Sequence, residues 1–179
     1  MPAAMRELWP EVIAAFAGVD LILHSGDITQ LMVLDQLEEI APVLAAEGNN
    51  DPGLTDRRLA RTQWLDLDDV TVAMVHDMEP EDEPIASLRD RYLHGRHADV
   101  MVSGHTHFER LDWRDDVLQV NSGSAVHPHQ WSTRLGTVAL LELDAGVATA
   151  RVVRLGEHEG VRNPGVELVF DGVEVRRLG

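Results

Sequence analysis

The chain has 179 residues, 44% of them hydrophobic, and a formal net charge of -16 set by 31 acidic against 15 basic side chains. That length and composition fit one domain with a proper core, and so negative a field excludes a nucleic-acid groove read through phosphates unless a local cation reverses it. The absence of cysteine excludes disulfides, thiolate nucleophiles and Cys-type zinc sites together, so any metal must be held by His, Asp, Glu or Asn.

Between Arg6 and Ala17 the residues Leu8, Trp9, Val12, Ile13 and Phe16 recur at helical spacing and Gly18 supplies a stop, which predicts an amphipathic helix. Val19 to His24 is a short apolar run opening onto Ser25-Gly26-Asp27, the pattern of a buried parallel strand that delivers a loop at its carboxyl end. A helix is expected over Gln30 to Ile40, then a strand over Val43 to Ala46 closed by the polar loop Glu47 to Pro52. Thr71 to Val75 repeats the design before His76-Asp77. A helix over Ile85 to Gly95 and a strand over Asp99 to Val102 then lead into Ser103-Gly104-His105-Thr106-His107.

Beyond His107 the texture changes to period-two alternation over Arg110–Trp113, Val117–Val120, Thr137–Leu143 and Ala148–Leu155, with turns at Asp115-Asp116 and Asp144-Ala145-Gly146. A last hairpin is expected around Asp171-Gly172, within a C-terminal extension over about residues 164–179. Alternating strands and helices followed by antiparallel hairpins predict an α/β fold, an αββα sandwich of two mixed sheets flanked by helices, in one domain over residues 1–179. No apolar run has the length of a membrane span and no basic-then-apolar leader opens the chain, so the expected setting is cytoplasmic.

Four strand ends therefore deliver Gly26-Asp27, Gly48-Asn49-Asn50-Asp51, His76-Asp77 and Gly104-His105-Thr106-His107. Ligands for two adjacent divalent ions need this kind of convergence from separate strand ends. Each residue also has a plainer reading. Asp27 suits a helix N-cap, Asn49 a left-handed turn, and His76 a buried structural role. Asp51 suits either a turn or the orientation of a ligand, and His24 packing at a strand end.

The ordered set resembles the motif series G-D, G-N-x-D, a strand-end His and G-H-x-H of the calcineurin-like metallophosphoesterases, over roughly residues 6–143. The resemblance is to their small phosphodiesterases. It implies two divalent cations (Mn, Ni, Fe, Co or Zn) bridged by Asp27, with Asn49, His76 and His105 completing one position and His107 serving the other. The same five residues are the implied catalytic set, supporting a bridging hydroxide that attacks phosphorus in line. A small phosphodiester substrate follows from the resemblance, as does the homodimeric assembly that members often adopt.

Three departures qualify it. The family's first motif, D-x-H after an initial strand, has no counterpart before Asp27, so the second cation position keeps only Asp27 and His107. Met1-Pro2 resembles the loop that follows that motif, and the expectation is that the missing strand is encoded upstream. Asn50 stands where larger members carry the histidine that protonates the leaving group, which favours diesters with acidic leaving groups. Asn121-Ser122-Gly123-Ser124 resembles the family's Asn-Pro-Gly-Ser segment and places Asn121 and Ser124, with Asn50, as substrate-contacting groups. His127, His129 and Arg134 are expected to add charge nearby, and Glu79 to Glu83 to form a solvated loop. Two competing readings are a phosphomonoesterase and a partner-binding scaffold with a degraded site, as in the retromer subunit of this superfamily.

Overall fold

The computed structural model describes residues 7–178; Met1-Pro2, Arg6 at the start of the expected first helix and Gly179 lie outside them. Helix α1 spans Pro10–Ala15, shorter than its periodicity predicts. Pro10 takes a first-turn position, where a missing N–H costs nothing, and leaves Leu8 and Trp9 ahead of the helix. Strand β1, Ile22–His24, runs parallel to β2, Val43–Ala46, through the crossover helix α2, Met32–Glu38. The expected strand from Val19 shortens to the three residues that find partners in β2. A short β3, Leu59–Ala60, completes a sheet in the order β1-β2-β3.

A five-stranded sheet follows, formed by β4 (Thr62–Leu67), β5 (Val70–Val75), β6 (Val100–Ser103), β7 (Glu109–Arg114) and β8 (Val117–Ser122). Its order is β4-β5-β6-β8-β7, and helix α3, Ile85–Tyr92, connects β5 to β6. The sequence reading assigns no strand to residues 59–67, where β4 mixes Gln63 and Asp66 with apolar residues and pairs antiparallel with β5. The last sheet is antiparallel, built from β9 (Thr137–Asp144), β10 (Val147–Arg154), β11 (Leu168–Phe170) and β12 (Val175–Arg177) in the order β12-β11-β10-β9.

Burial sorts these elements into layers. Val72, Val100, Leu118 and Val120 of the five-stranded sheet pack against Val152 and Phe170 of the four-stranded one, with Leu23 of β1 alongside. The opposite face of the five-stranded sheet, through Ala73, Val75 and Met101, is covered by Ile85 and Leu88 of α3. Ile22 and Val43 lie under Leu34 and Leu37 of α2, and Val12 of α1 packs with Val138 and Leu155. The result is the expected αββα sandwich, with one difference. Among the described residues the layer facing the five-stranded sheet is two sheets, because β1 and β9 do not pair with each other. Among the described residues no helix is long and apolar enough to cross a membrane.

The C-terminal hairpin is part of this core. Phe170 is 1% exposed and its ring stacks at 5.1 Å on Trp113 of β7. Phe170→Ala is expected to cost about 3–5 kcal/mol in urea denaturation, where an appended surface tail would change stability by under about 0.5 kcal/mol.

Candidate metal centre

Parallel pairing puts the carboxyl ends of β1 and β2 side by side in one sheet and those of β5 and β6 in the other, and the packed layers bring the four loops together. His76 Nε2 lies 2.9 Å from Asn49 Oδ1, 3.1 Å from His105 Nδ1 and 3.5 Å from Asp27 Oδ1. His105 Nδ1 is 3.0 Å from Asn49 Oδ1. Donors of Asn49, His76 and His105 thus face one another, with the Asp27 carboxylate beside His76. Ligands about 2.1 Å from a shared cation sit roughly 3.0–3.5 Å apart, so this donor set fits a mid-row divalent ion.

The far side of each ring fixes which nitrogen faces inward. His76 Nδ1 donates to the Ser25 carbonyl at 2.7 Å, leaving the Nε2 lone pair for the cluster. His105 Nε2 lies 3.5 Å from the Glu79 carboxylate. His107 Nδ1 donates to the His127 carbonyl at 2.9 Å, and burial holds its imidazole below the ordinary value, so it is neutral and ligand-competent near pH 7. His107 stands outside the four-donor group and shares a cavity with Asp27. Behind them His24 Nδ1 accepts the Gly26 N–H at 3.3 Å, and loss of hydration pushes its pKa down to about 4.

Close approach of the loops needs glycine at two places. A Cβ on Gly48 would lie 2.2 Å from the Asp27 nitrogen, and one on Gly104 2.6 Å from Ser25 Oγ. Asp27, His105 and His107 themselves adopt φ of 58°, 63° and 61°, a left-handed region that non-glycine residues enter at a cost and that is common at functional sites.

Asp51, 1% exposed, accepts the N–H of Thr29 at 2.7 Å and of Gly48 at 2.9 Å. Burial alone would raise its pKa, but these donors and the Ile28 N–H outweigh it and hold the carboxyl below its usual value. It therefore braces the loops that carry Asp27 and Asn49. Asn50 sits on Asp27, its backbone N–H 2.8 Å from Oδ1 and its amide 2.7 Å from Oδ2.

The expected substrate-contacting residues separate. Ser124 lines the cavity, its Oγ accepting the His127 N–H at 3.0 Å. Asn121 is fully buried, and its amide nitrogen donates to the Gly104 carbonyl at 2.8 Å, Thr106 Oγ1 at 3.1 Å and Glu81 Oε1 at 2.9 Å. Its amide is spent beneath the Gly104–His107 loop, so its burial corrects the expectation of substrate contact. His129 pairs with Glu109 at 2.7 Å and Arg134 lies over Trp131, leaving His127 as the member of that trio lining the cavity. The sequence reading missed Glu79. With Asp77 and His105 it places ligand atoms within 4.8 Å of one another, and only its proximity to His76 in the chain hinted at this.

Strand-end donors of this kind at the meeting of two packed sheets form a candidate metal centre. Residues 4–146 match the calcineurin-like phosphoesterase superfamily domain, and the chain belongs to that superfamily. It is 36% identical over 126 residues to a probable metallophosphoesterase of Methanocaldococcus jannaschii, a match covering 68% of this chain and 62% of that protein. A probable metallophosphoesterase of Methanothermobacter thermautotrophicus is 31% identical over 161 residues, covering 87% and 88% of the two chains. A phosphodiesterase of M. jannaschii is 27% identical over 141 residues, covering 71% and 78%. Among solved structures, Vps29 of Chaetomium thermophilum superposes with a TM-score of 0.70 at 19% identity, covering 99% of this chain and 90% of that one; the likeness is one of fold.

Asp51→Asn sets an N–H donor against a backbone N–H and is expected to cost about 1–3 kcal/mol at pH 7. Because the folded carboxyl titrates below its usual value, its contribution is full above about pH 4 and is lost as pH falls through the lower folded value. Urea midpoints for wild type and variant, measured at pH 7 and pH 3, should therefore converge on the acid side.

Proposed function

We propose that the chain is a metal-dependent phosphodiesterase acting on small phosphodiesters. Asp27, Asn49, His76 and His105 would hold one divalent cation, and Asp27 with His107 a second. The observation that carries this reading is the mutual approach of the His76, Asn49 and His105 donors at 2.9–3.1 Å, with Asp27 3.5 Å from His76 and the inward nitrogen of His76 fixed by the Ser25 carbonyl. Bound there, divalent cations supply Lewis acidity that binds phosphoryl oxygens and acidifies water for in-line attack. The chain's own residues do the rest. Asn50 keeps the Asp27 carboxylate aligned through two hydrogen bonds, and having no ionisable proton it gives none to a departing oxygen. That favours diesters whose leaving groups are already acidic, in line with the likeness to a phosphodiesterase. His127 and Ser124 line the same cavity and offer polar contacts to the substrate. The reading carries with it a cytoplasmic setting and a cation among Mn, Ni, Fe, Co and Zn. Among the described residues the second position has two donors, Asp27 and His107, and that short set is what favours the alternative of a scaffold that has lost turnover.

Bound metal per chain and hydrolysis of bis(p-nitrophenyl) phosphate with added manganese test this directly. The expected result is metal-dependent turnover that exceeds turnover of the corresponding monoester and falls at least about 100-fold in His105→Ala. Metal binding without turnover of either ester would favour the scaffold, and faster turnover of the monoester a phosphomonoesterase. Glu79→Gln is expected to weaken metal affinity about 10-fold or more while leaving the fold intact, because Glu79 orients His105 and lies on the surface.

A further inference from the structure

The chain has eight aromatic side chains: three Phe, four Trp and one Tyr. The two most exposed are Phe108, at 50%, and Trp131, at 48%, and both stand on loops that serve the candidate metal centre. Phe108 directly follows His107. Trp131 follows the turn Pro128–Gln130, which begins at His127. Its carbonyl accepts the His127 Nδ1–H at 3.1 Å, and the His127 carbonyl in turn holds His107 Nδ1. The third most exposed aromatic, Trp113 at 37%, already has a partner in Phe170.

Both rings are held in place before any ligand arrives. Phe108 lies on the His129 imidazole at 4.7 Å and an interplanar angle of 12°. His129 is fixed by Glu109 at 2.7 Å and by its own N–H, which donates to the His107 carbonyl at 2.9 Å. The Glu109 side chain is 3% exposed and also accepts the Thr137 hydroxyl at 2.9 Å, so the stack has a buried foot. Trp131 carries the Arg134 guanidinium 4.8 Å from its ring centre, and Arg134 donates to the Ser132 hydroxyl at 2.9 Å. A single exposed aromatic needs no explanation. Here two rings of set orientation flank the same pair of histidines in a chain sparing with aromatics, and side chains ordered in advance lose little entropy when a ligand binds.

We propose that Phe108 and Trp131 form a stacking subsite for a nucleobase, and that the phosphodiester whose phosphate meets the metal centre is the ester of a single nucleoside. The phosphate half of this inference rests on the phosphodiesterase reading; the base half rests on the two rings. Stacking accepts any base, because every base presents a π face, and an arginine beside the rings adds cation–π attraction. The net charge of -16 opposes a long polyanion, whereas a diester of one nucleoside brings a single negative charge.

The test gives the whole chain, with manganese, two diesters that share a leaving group: thymidine 5′-(p-nitrophenyl phosphate) and methyl p-nitrophenyl phosphate. The expected result is a kcat/KM at least about 5-fold higher for the nucleoside ester, carried by KM. That ratio should fall to about 1 in Phe108→Ala and in Trp131→Ala but persist in Phe108→Tyr, which keeps the ring. Thermal midpoints matching wild type show that the variants fold. A second readout needs no turnover: thymidine 5′-monophosphate should shift the ring proton resonances of Phe108 and Trp131, and deoxyribose 5-phosphate should not. Those shifts with neither ester hydrolysed would uphold the subsite and sink the phosphodiesterase reading. Equal kcat/KM for the two esters, unmoved by either alanine variant, would overturn the subsite and leave that reading intact. Equal values that both fall in Phe108→Ala would overturn the nucleobase in favour of an aryl leaving group in the same place. A doubled mass that both alanine variants abolish, with no shifts from the nucleotide, would overturn it in favour of a contact between copies.

Discussion

The carboxylate of Asp51 is the constraint on which the site depends. Parallel pairing of β1 with β2 leaves two strand ends adjacent, yet adjacency alone does not fix the loops that leave them. Asp51 supplies the missing restraint by accepting one N–H from each loop, Thr29 from the first and Gly48 from the second. A buried charge is tolerable when backbone donors replace its water, and here the same donors hold Asp27 and Asn49 in one frame. Asn50 then reaches Asp27 with both its backbone and side-chain N–H groups.

The other half of the site comes from the opposite sheet, and Ser25 is the seam. Its carbonyl accepts the His76 ring, and its hydroxyl lies so near Gly104 that no larger residue fits there. Those contacts tie the β5 and β6 loops, with their histidines, to the β1 loop. From the other side of the β6 loop Asn121 gives its amide to the Gly104 carbonyl. The donor geometry is thus set by backbone carbonyls and amides more than by the side chains that would touch a cation.

Much of this was legible in the sequence. The apolar runs ending at His24, Ala46, Val75 and Val102 announce strands because each is short, continuous and followed by polar residues, and the ordered loops that follow announce the cluster. Less legible was β4, where Gln63 and Asp66 interrupt the apolar pattern of a strand whose pairing with β5 is a tertiary matter. Asn121 is placed at the substrate by the likeness of its segment to the family's Asn-Pro-Gly-Ser, while its burial is decided by Glu81 and the Gly104 loop. Glu79 was hidden inside an acidic run that reads as solvated, and its place beside His105 depends on the path of the loop after β5. The division of one layer into two sheets among the described residues is also a three-dimensional property, since the apolar runs of β1 and β9 do not say which strands they pair with.

The left-handed backbones of Asp27, His105 and His107 carry a further consequence. Each such conformation costs on the order of 1 kcal/mol or more, and against a total stability of only about 5–15 kcal/mol three of them are a substantial internal tension. An ion that engages these side chains binds the folded chain and not the unfolded one, so its binding free energy adds to folding free energy by mass action. Under the proposed function, the cation supply would then act as a thermodynamic brake on turnover of the protein itself: starved of ions, the chain would be shorter-lived as well as idle.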